Sequence, residues 1–119
     1  MQQLWRVFKL NVMSVKQLHK QWRKEFNEYC LKRDKYKCVF CNNIKDLDVH
    51  HIQNRHELPA GGYVIENGIT LCKKHHLEAE QYHISDKKIG IKGMYPDDLY
   101  ILIGSSYELA VKKSEELKA

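Results

Sequence analysis

The stretch "ITLCKKHHLEAEQYHI", residues 69–84, sets an apolar triplet directly before Cys72, follows it with the adjacent histidines His75 and His76, and then runs through good helix formers without a breaker until Ser85. It reads as a short strand passing into a helix that begins near Cys72. Upstream, "IKDLDVHHI", residues 44–52, reads as a turn running into another short strand through Leu47, Val49 and Ile52, and it carries a second histidine pair, His50 and His51. Neither strand is long enough to stand alone in water, so something else must staple them.

The residues for a staple flank the two strands. Cys38 and Cys41 form one Cys-x-x-Cys pair, and Cys72 with His75 forms a Cys-x-x-His pair. Two such pairs close a tetrahedral zinc site, with thiolate sulfurs about 2.3 Å and a ring nitrogen about 2.0 Å from the ion. Two disulfides are the alternative for four cysteines in a secreted chain, but this spacing in a reducing compartment points to thiolate ligands. Cys30 has no near partner and falls on the apolar side of a helix, where a cysteine is a small core residue. Successive strand residues point to opposite faces, so His50 and His51 cannot both face one ion from a regular strand. On a helix, His75 and His76 lie about 100° apart, which lets one face the zinc and its neighbour a cleft.

Around this centre the pattern is helical. Leu18, Trp22, Phe26, Tyr29 and Cys30 recur at three- and four-residue steps with basic residues between them, predicting a helix from an N-cap at Ser14 to about Arg33. "QNRHELPAGGYVIENG", with Pro59, Gly61, Gly62 and Gly68, reads as a loop bounded by turns. Pro96 suits a first helical turn, with Asp97 and Asp98 at the positive end of the helix dipole. "LYILIG" then ends at Gly104, and Ser105 is expected to cap a last helix that turns Tyr107, Leu109, Ala110 and Leu117 inward. The expected fold is α+β, a small single domain with a zinc-stapled ββα core over residues 14–84. Residues 1–13, with Trp5 and Phe8, form an arm or short strand, and residues 85–119 a helical extension of the same domain.

Twenty basic against fifteen acidic residues give a net charge of +5, and the pI is near 9.0. This balance favours a polyanionic partner, nucleic acid or an anionic membrane surface. No apolar run approaches the ~18 residues of a membrane span, and the N-terminus lacks a signal-peptide pattern, so the expectation is a soluble, cytoplasmic protein in a reducing compartment.

Read in order, Cys38-x-x-Cys41, "VHHI", "ENGITLC" and Cys72-x-x-His75-His76, with the lead-in "CLKRDKYKC", resemble the zinc-bearing members of the HNH endonuclease family, which carry the ββα-metal or His-Me finger motif. The resemblance covers about Phe26 to Glu80. It implies a nuclease with His51 as general base, Asn67 holding the loop that carries the base, and His50 and His76 as ligands of a catalytic divalent metal. The implied partner is DNA, with RNA also open, and the implied products are a 5′-phosphate and a 3′-hydroxyl. Two departures stand out: the family commonly has aspartate where His50 stands and usually a fourth cysteine where His75 stands. Of Mg²⁺, Mn²⁺, Ni²⁺, Co²⁺ and Zn²⁺, two imidazoles suit the last four better than the all-oxygen shell that Mg²⁺ prefers. Glu80, one helical turn beyond His76, is a candidate further ligand or supporting partner.

Arg23, Lys24, Arg33, Arg55, Lys73 and Lys74 are the candidate DNA contacts, acting on phosphates and carrying no base reading. His19 and His83 are expected to be surface or packing residues, and His56 a solvated loop residue. Two rival readings are a non-catalytic zinc module that binds nucleic acid and a protein-interaction scaffold built on the C-terminal helices. Those helices close the core or form a homodimer. Small proteins of this kind also resemble phage or mobile-element nucleases.

Overall fold

Ser14 starts the first helix as its chemistry requires. Its Oγ accepts from the Gln17 N–H at 3.1 Å and the Gln17 side chain accepts from the Ser14 N–H at 2.9 Å, a reciprocal box that satisfies two otherwise unpaired donors. The computed structural model describes residues 14–117, and the expected arm over residues 1–13 lies outside them. Helix α1 spans Val15–Arg33 and buries Trp22, Phe26 and Cys30, one stripe at four-residue steps. Tyr29, expected on that stripe, is 56% exposed instead; the contact face is narrower than the mixed three- and four-residue pattern suggested.

Strands β1 (Leu47–His51) and β2 (Gly68–Cys72) pair antiparallel in the register Leu47↔Cys72 to His51↔Gly68. Between them, residues 52–67 make three short 3₁₀ turns, Arg55–Glu57, Pro59–Gly62 and Ile65–Asn67. Gly68 sits where α1 crosses β2: a Cβ there would lie 2.6 Å from both the Cys30 sulfur and the Phe26 ring, so any side chain would force the helix away. Helix α2, Lys73–Ile84, leaves β2 directly with Cys72 as its N-cap residue and buries His75 and Ala79.

Helix α3, Pro96–Leu102, begins on Pro96, and Asp98 accepts from the Tyr95 N–H at 3.2 Å. Helix α4, Tyr107–Glu116, is capped by Ser106, whose Oγ accepts from Leu109 N–H at 3.1 Å. Ser105 is therefore not the cap. Its hydroxyl donates instead to the Glu66 carbonyl at 2.8 Å, a tertiary contact that selects between two adjacent serines. Tyr107 is also 43% exposed, whereas Ala110 and Ser114 are buried and Leu117 packs, partly buried, against the cluster of Trp22, Phe26, Cys30 and Tyr63.

Two apolar clusters flank the sheet. One joins Trp22, Phe26, Cys30 and Tyr63 under the His51 face. The other joins Ile52, Ile69, Leu71 and Ala79 to Met94 from the preceding loop and to Leu99, Tyr100 and Ala110 from the C-terminal helices. Among the described residues the architecture is thus α+β, four helices around a two-stranded sheet. Among the described residues no helix is long and apolar enough to cross a membrane.

Candidate active site and zinc site

Cys38, Cys41, Cys72 and His75 come together as the spacing predicted. The first knuckle is made by the chain turning back on itself: Cys38 N–H donates to Asn43 O and Asn42 N–H to Cys38 O, each at 2.8 Å. Cys72 and His75 follow one another off the end of β2. Zinc bond lengths imply tetrahedron edges of about 3.8 Å between sulfurs and about 3.5 Å between sulfur and nitrogen. The Cys41 and Cys72 sulfurs are 3.8 Å apart, and the His75 Nδ1 lies 3.2 Å from Cys72 Sγ and 3.7 Å from Cys38 Sγ. The donor set fits zinc. Against the cost of burial, the His75 N–H and side chain and the Cys41 and Cys38 sulfurs bring the Cys72 thiol down to about 7, toward the thiolate a metal requires. Cys30 stays outside the set, with burial pushing its thiol up to about 12.

The alternation of β1 separates the other pair. His50 points to the α2 side, where its ring meets His76 at 5.3 Å and His83 at 5.6 Å between centroids. His51 points to the α1 side, stacked on Phe26 at 4.4 Å and edge-on to Tyr63 at 5.1 Å. His50, His76 and Glu80 form a second group whose donor atoms lie within 4.8 Å of one another. Glu80 Oε1 is 3.0 Å from His50 Nδ1 and 3.4 Å from His76 Nε2.

Yet both ring nitrogens of His50, 99% buried, lack a hydrogen bond: the Glu80 contact is close but misdirected for an N–H donor. Buried polar atoms without partners are costly, and one imidazole nitrogen each from His50 and His76, converging with the Glu80 carboxylate, suits a shared cation. Burial pushes the His50 imidazole down, and His50 and His76 together hold the Glu80 carboxyl below the usual carboxylate range. A neutral imidazole beside an ionised carboxylate is the protonation state that metal ligands need. On the far side of the His76 ring, Asp48 Oδ2 lies 3.5 Å from Nδ1, so Nε2 is the nitrogen turned to Glu80.

Asn67 is fully buried, and its amide is used to capacity. Nδ2 donates to Gln53 O and Gly62 O, both at 3.2 Å; Oδ1 accepts from Gln53 N–H at 2.9 Å and from Tyr100 O–H at 2.7 Å. One side chain thereby ties the turn after His51 to the Gly62 loop and to α3. The Asn67 carbonyl also accepts from Ile52 N–H at 2.9 Å. Tyr100→Phe removes one of these bonds and leaves Oδ1 its Gln53 donor, so the expected loss is about 1 kcal/mol in a urea denaturation series, with zinc content unchanged.

The predicted phosphate contacts divide. Arg23 and Arg55 line a groove with His51 and Tyr63, and Arg55 also borders the cleft of His51, His76, Glu80 and His83. Arg33 does not join them. Its guanidinium is spent on Asp34 and on the Ile65 and Gly68 carbonyls, locking the end of α1 to β2. Lys73 and Lys74 line a separate cleft beside the zinc knuckle, with Asn43, Lys45 and Leu77, and Lys24 is exposed on α1. His83 is more than packing: its Nε2 meets the Ile52 carbonyl at 3.0 Å and its ring borders the His76 cleft. His19 and His56 are exposed, as expected. Asp48 was findable, because residues two apart on a strand share a face with His50; Tyr63 and Tyr100 carried no local signal.

A strand pair running straight into a helix, with a Cys₃His set that fits zinc on one side and a histidine–carboxylate set on the other, has the arrangement of a ββα-metal domain. Residues 28–81 match the family model of the HNH endonuclease, which supports a nuclease-type function in general terms. Comparison with curated proteins gives no match, and comparison with solved structures gives none.

Proposed function

We propose that the chain is a metal-dependent endonuclease that hydrolyses DNA phosphodiester bonds, with His51 as the general base. The observation that carries the reading is the split of the histidine pair: His51 borders the same cleft as His76 and Glu80 but stays out of their donor set, with Phe26 stacked behind it. A ring free of a metal keeps its lone pair for a proton. Burial, helped by the nearby His50 and Arg55, pushes the His51 imidazole down to about 4, so it is neutral at physiological pH.

In the reaction, water attacks phosphorus while a His51 ring nitrogen takes its proton. The bond from phosphorus to the 3′ oxygen breaks, and that oxygen leaves with the electron pair and is protonated from solvent. A 5′-phosphate and a 3′-hydroxyl remain. His50, His76 and Glu80 would hold a divalent ion, which supplies positive charge to the phosphate and the departing oxygen. Two imidazoles and one carboxylate suit Mn²⁺, Co²⁺, Ni²⁺ or Zn²⁺ ahead of Mg²⁺. Asn67 orients the turn behind His51, and Arg55 reaches the DNA backbone from the loop. Residues 14–84 act as the nuclease core, and the helices after Ser85 belong to the same domain, tied in by Tyr100 and Ser105. The reduced thiols of the zinc set suit the cytoplasm.

Plasmid cleavage in zinc-loaded protein, across Mg²⁺, Mn²⁺, Co²⁺ and Ni²⁺, tests the reading alongside Glu80→Ala. Cleavage should require an added ion, and Glu80→Ala should raise the ion concentration needed by at least about tenfold, the size typical of a weakened ligand sphere. DNA binding without cleavage under every ion would instead favour the non-catalytic zinc module.

A further inference from the structure

The groove on the α1 side of β1 is built by two periodicities meeting. Arg23, Asn27 and Leu31 stand at four-residue steps on α1 and form one wall. Leu47, Val49 and His51 stand at two-residue steps on β1 and form the floor. Arg55 and Tyr63 from the following loop close the end. Arg55 Nη1 donates to the Tyr63 hydroxyl at 3.0 Å, and Arg23 lies beside the same oxygen, the two guanidiniums pulling the phenol pKa down against the effect of burial. Two cations thus converge on one hydroxyl, and no carboxylate among the described residues pairs with either. The acid at the rim, Asp48, turns its carboxylate toward His76.

Uncompensated guanidiniums that flank a hydroxyl donor match the oxygens of a phosphate diester. The groove is not the cleft that holds the histidine–carboxylate set. Neither His50, His76 nor Glu80 lines it, and only Val49, His51 and Arg55 border both. A phosphate seated between Arg23 and Arg55 is therefore separated from the cleaved one by the His51 ring.

We infer that Arg23, Arg55 and the Tyr63 hydroxyl form a subsite for a second backbone phosphate, one that flanks the phosphate under attack. Its role as a flanking site rests on His51 being the base. The subsite requires a strand that continues past the cleaved bond on at least one side.

The test is fluorescence anisotropy of a labelled DNA duplex over a salt series, in a His51→Ala background so that the DNA stays intact. Arg23→Ala and Arg55→Ala are each expected to weaken binding several-fold and to reduce the slope of log K against log salt by about 1, the signature of one lost phosphate contact. Tyr63→Phe should weaken binding without changing the slope, because it removes a donor and no charge. Lys112→Ala, an exposed lysine on α4 away from the groove, serves as the control. Zinc content and circular dichroism confirm that each variant is folded. Arg23 and Arg55 variants that behave like Lys112→Ala overturn the subsite, even if the wild type cuts DNA. Lost affinity and slope in a protein whose wild type cuts nothing would uphold the phosphate site and overturn the nuclease reading instead.

Discussion

His51→Ala is expected to lower metal-dependent DNA cleavage by about 10²–10⁴-fold, the range that a positioned general base contributes, while zinc content stays at the wild-type level. The substitution touches neither donor set, because β1 turns His51 toward Phe26 and Tyr63 and not toward His76. It does remove a stacked ring, so a modest stability loss should accompany it.

The pH dependence separates the two effects. An ordinary histidine titrates near 6.5, whereas burial holds His51 at about 4. Between those values the unfolded chain binds a proton that the folded protein does not. The wild type therefore loses stability as pH falls through this window, by about 3 kcal/mol if the whole shift is expressed, and the loss levels off below about pH 4. His51→Ala lacks this site, so its stability should fall less between pH 7 and pH 5 in urea titrations. Cleavage by the wild type should show no acid limb at 6.5 from this base. Full activity in a pure His51→Ala sample would remove His51 from the chemistry.

The features legible in the sequence are those fixed by short-range geometry. The zinc set follows from two pairs whose members are three residues apart, so each knuckle forms locally and only the hairpin has to bring the pairs together. The separation of His50 from His51 follows from the two-residue period of a strand, and the start of α1 from a serine whose hydroxyl has donors to cap. What escaped depends on distant partners. Arg33 resembles the other basic residues of α1, but Asp34 and the Ile65 and Gly68 carbonyls claim its donors. Ser105 and Ser106 are chemically identical as caps, and the Glu66 carbonyl decides between them. The Tyr100 bond to Asn67 joins residues 33 positions apart, and nothing near either residue announces it. His83 is similar: a helical histidine acquires its place in the cleft from the Ile52 carbonyl, 31 residues away.

Cys72→Ser should produce the largest structural effect in the chain. Cys72 belongs to the four-donor set that fits zinc, and it is the strand partner of Leu47 and the residue from which α2 departs. Zinc binding in small stapled domains contributes apparent free energies of about 10–16 kcal/mol, as large as the roughly 5–15 kcal/mol net stability of a typical domain. Loss of one thiolate from a four-donor set should therefore unfold the hairpin and α2, visible as lost zinc stoichiometry and lost helical circular dichroism at 25 °C. Acid should act in the same direction, since protons compete with the metal for sulfur and zinc affinity falls as pH drops. Cys30→Ala is the control: that thiol is buried against Gly68 and belongs to neither set, so the variant should keep its zinc and lose only the stability of a small cavity. The adjacent histidines sharpen the test. His75→Ala should follow Cys72→Ser in losing zinc, because its Nδ1 lies among the sulfurs, whereas His76→Ala should keep zinc and fold, because its ring faces Asp48 and Glu80. If His76→Ala lost the zinc and His75→Ala kept it, the assignment of the two neighbours to different metals would be reversed.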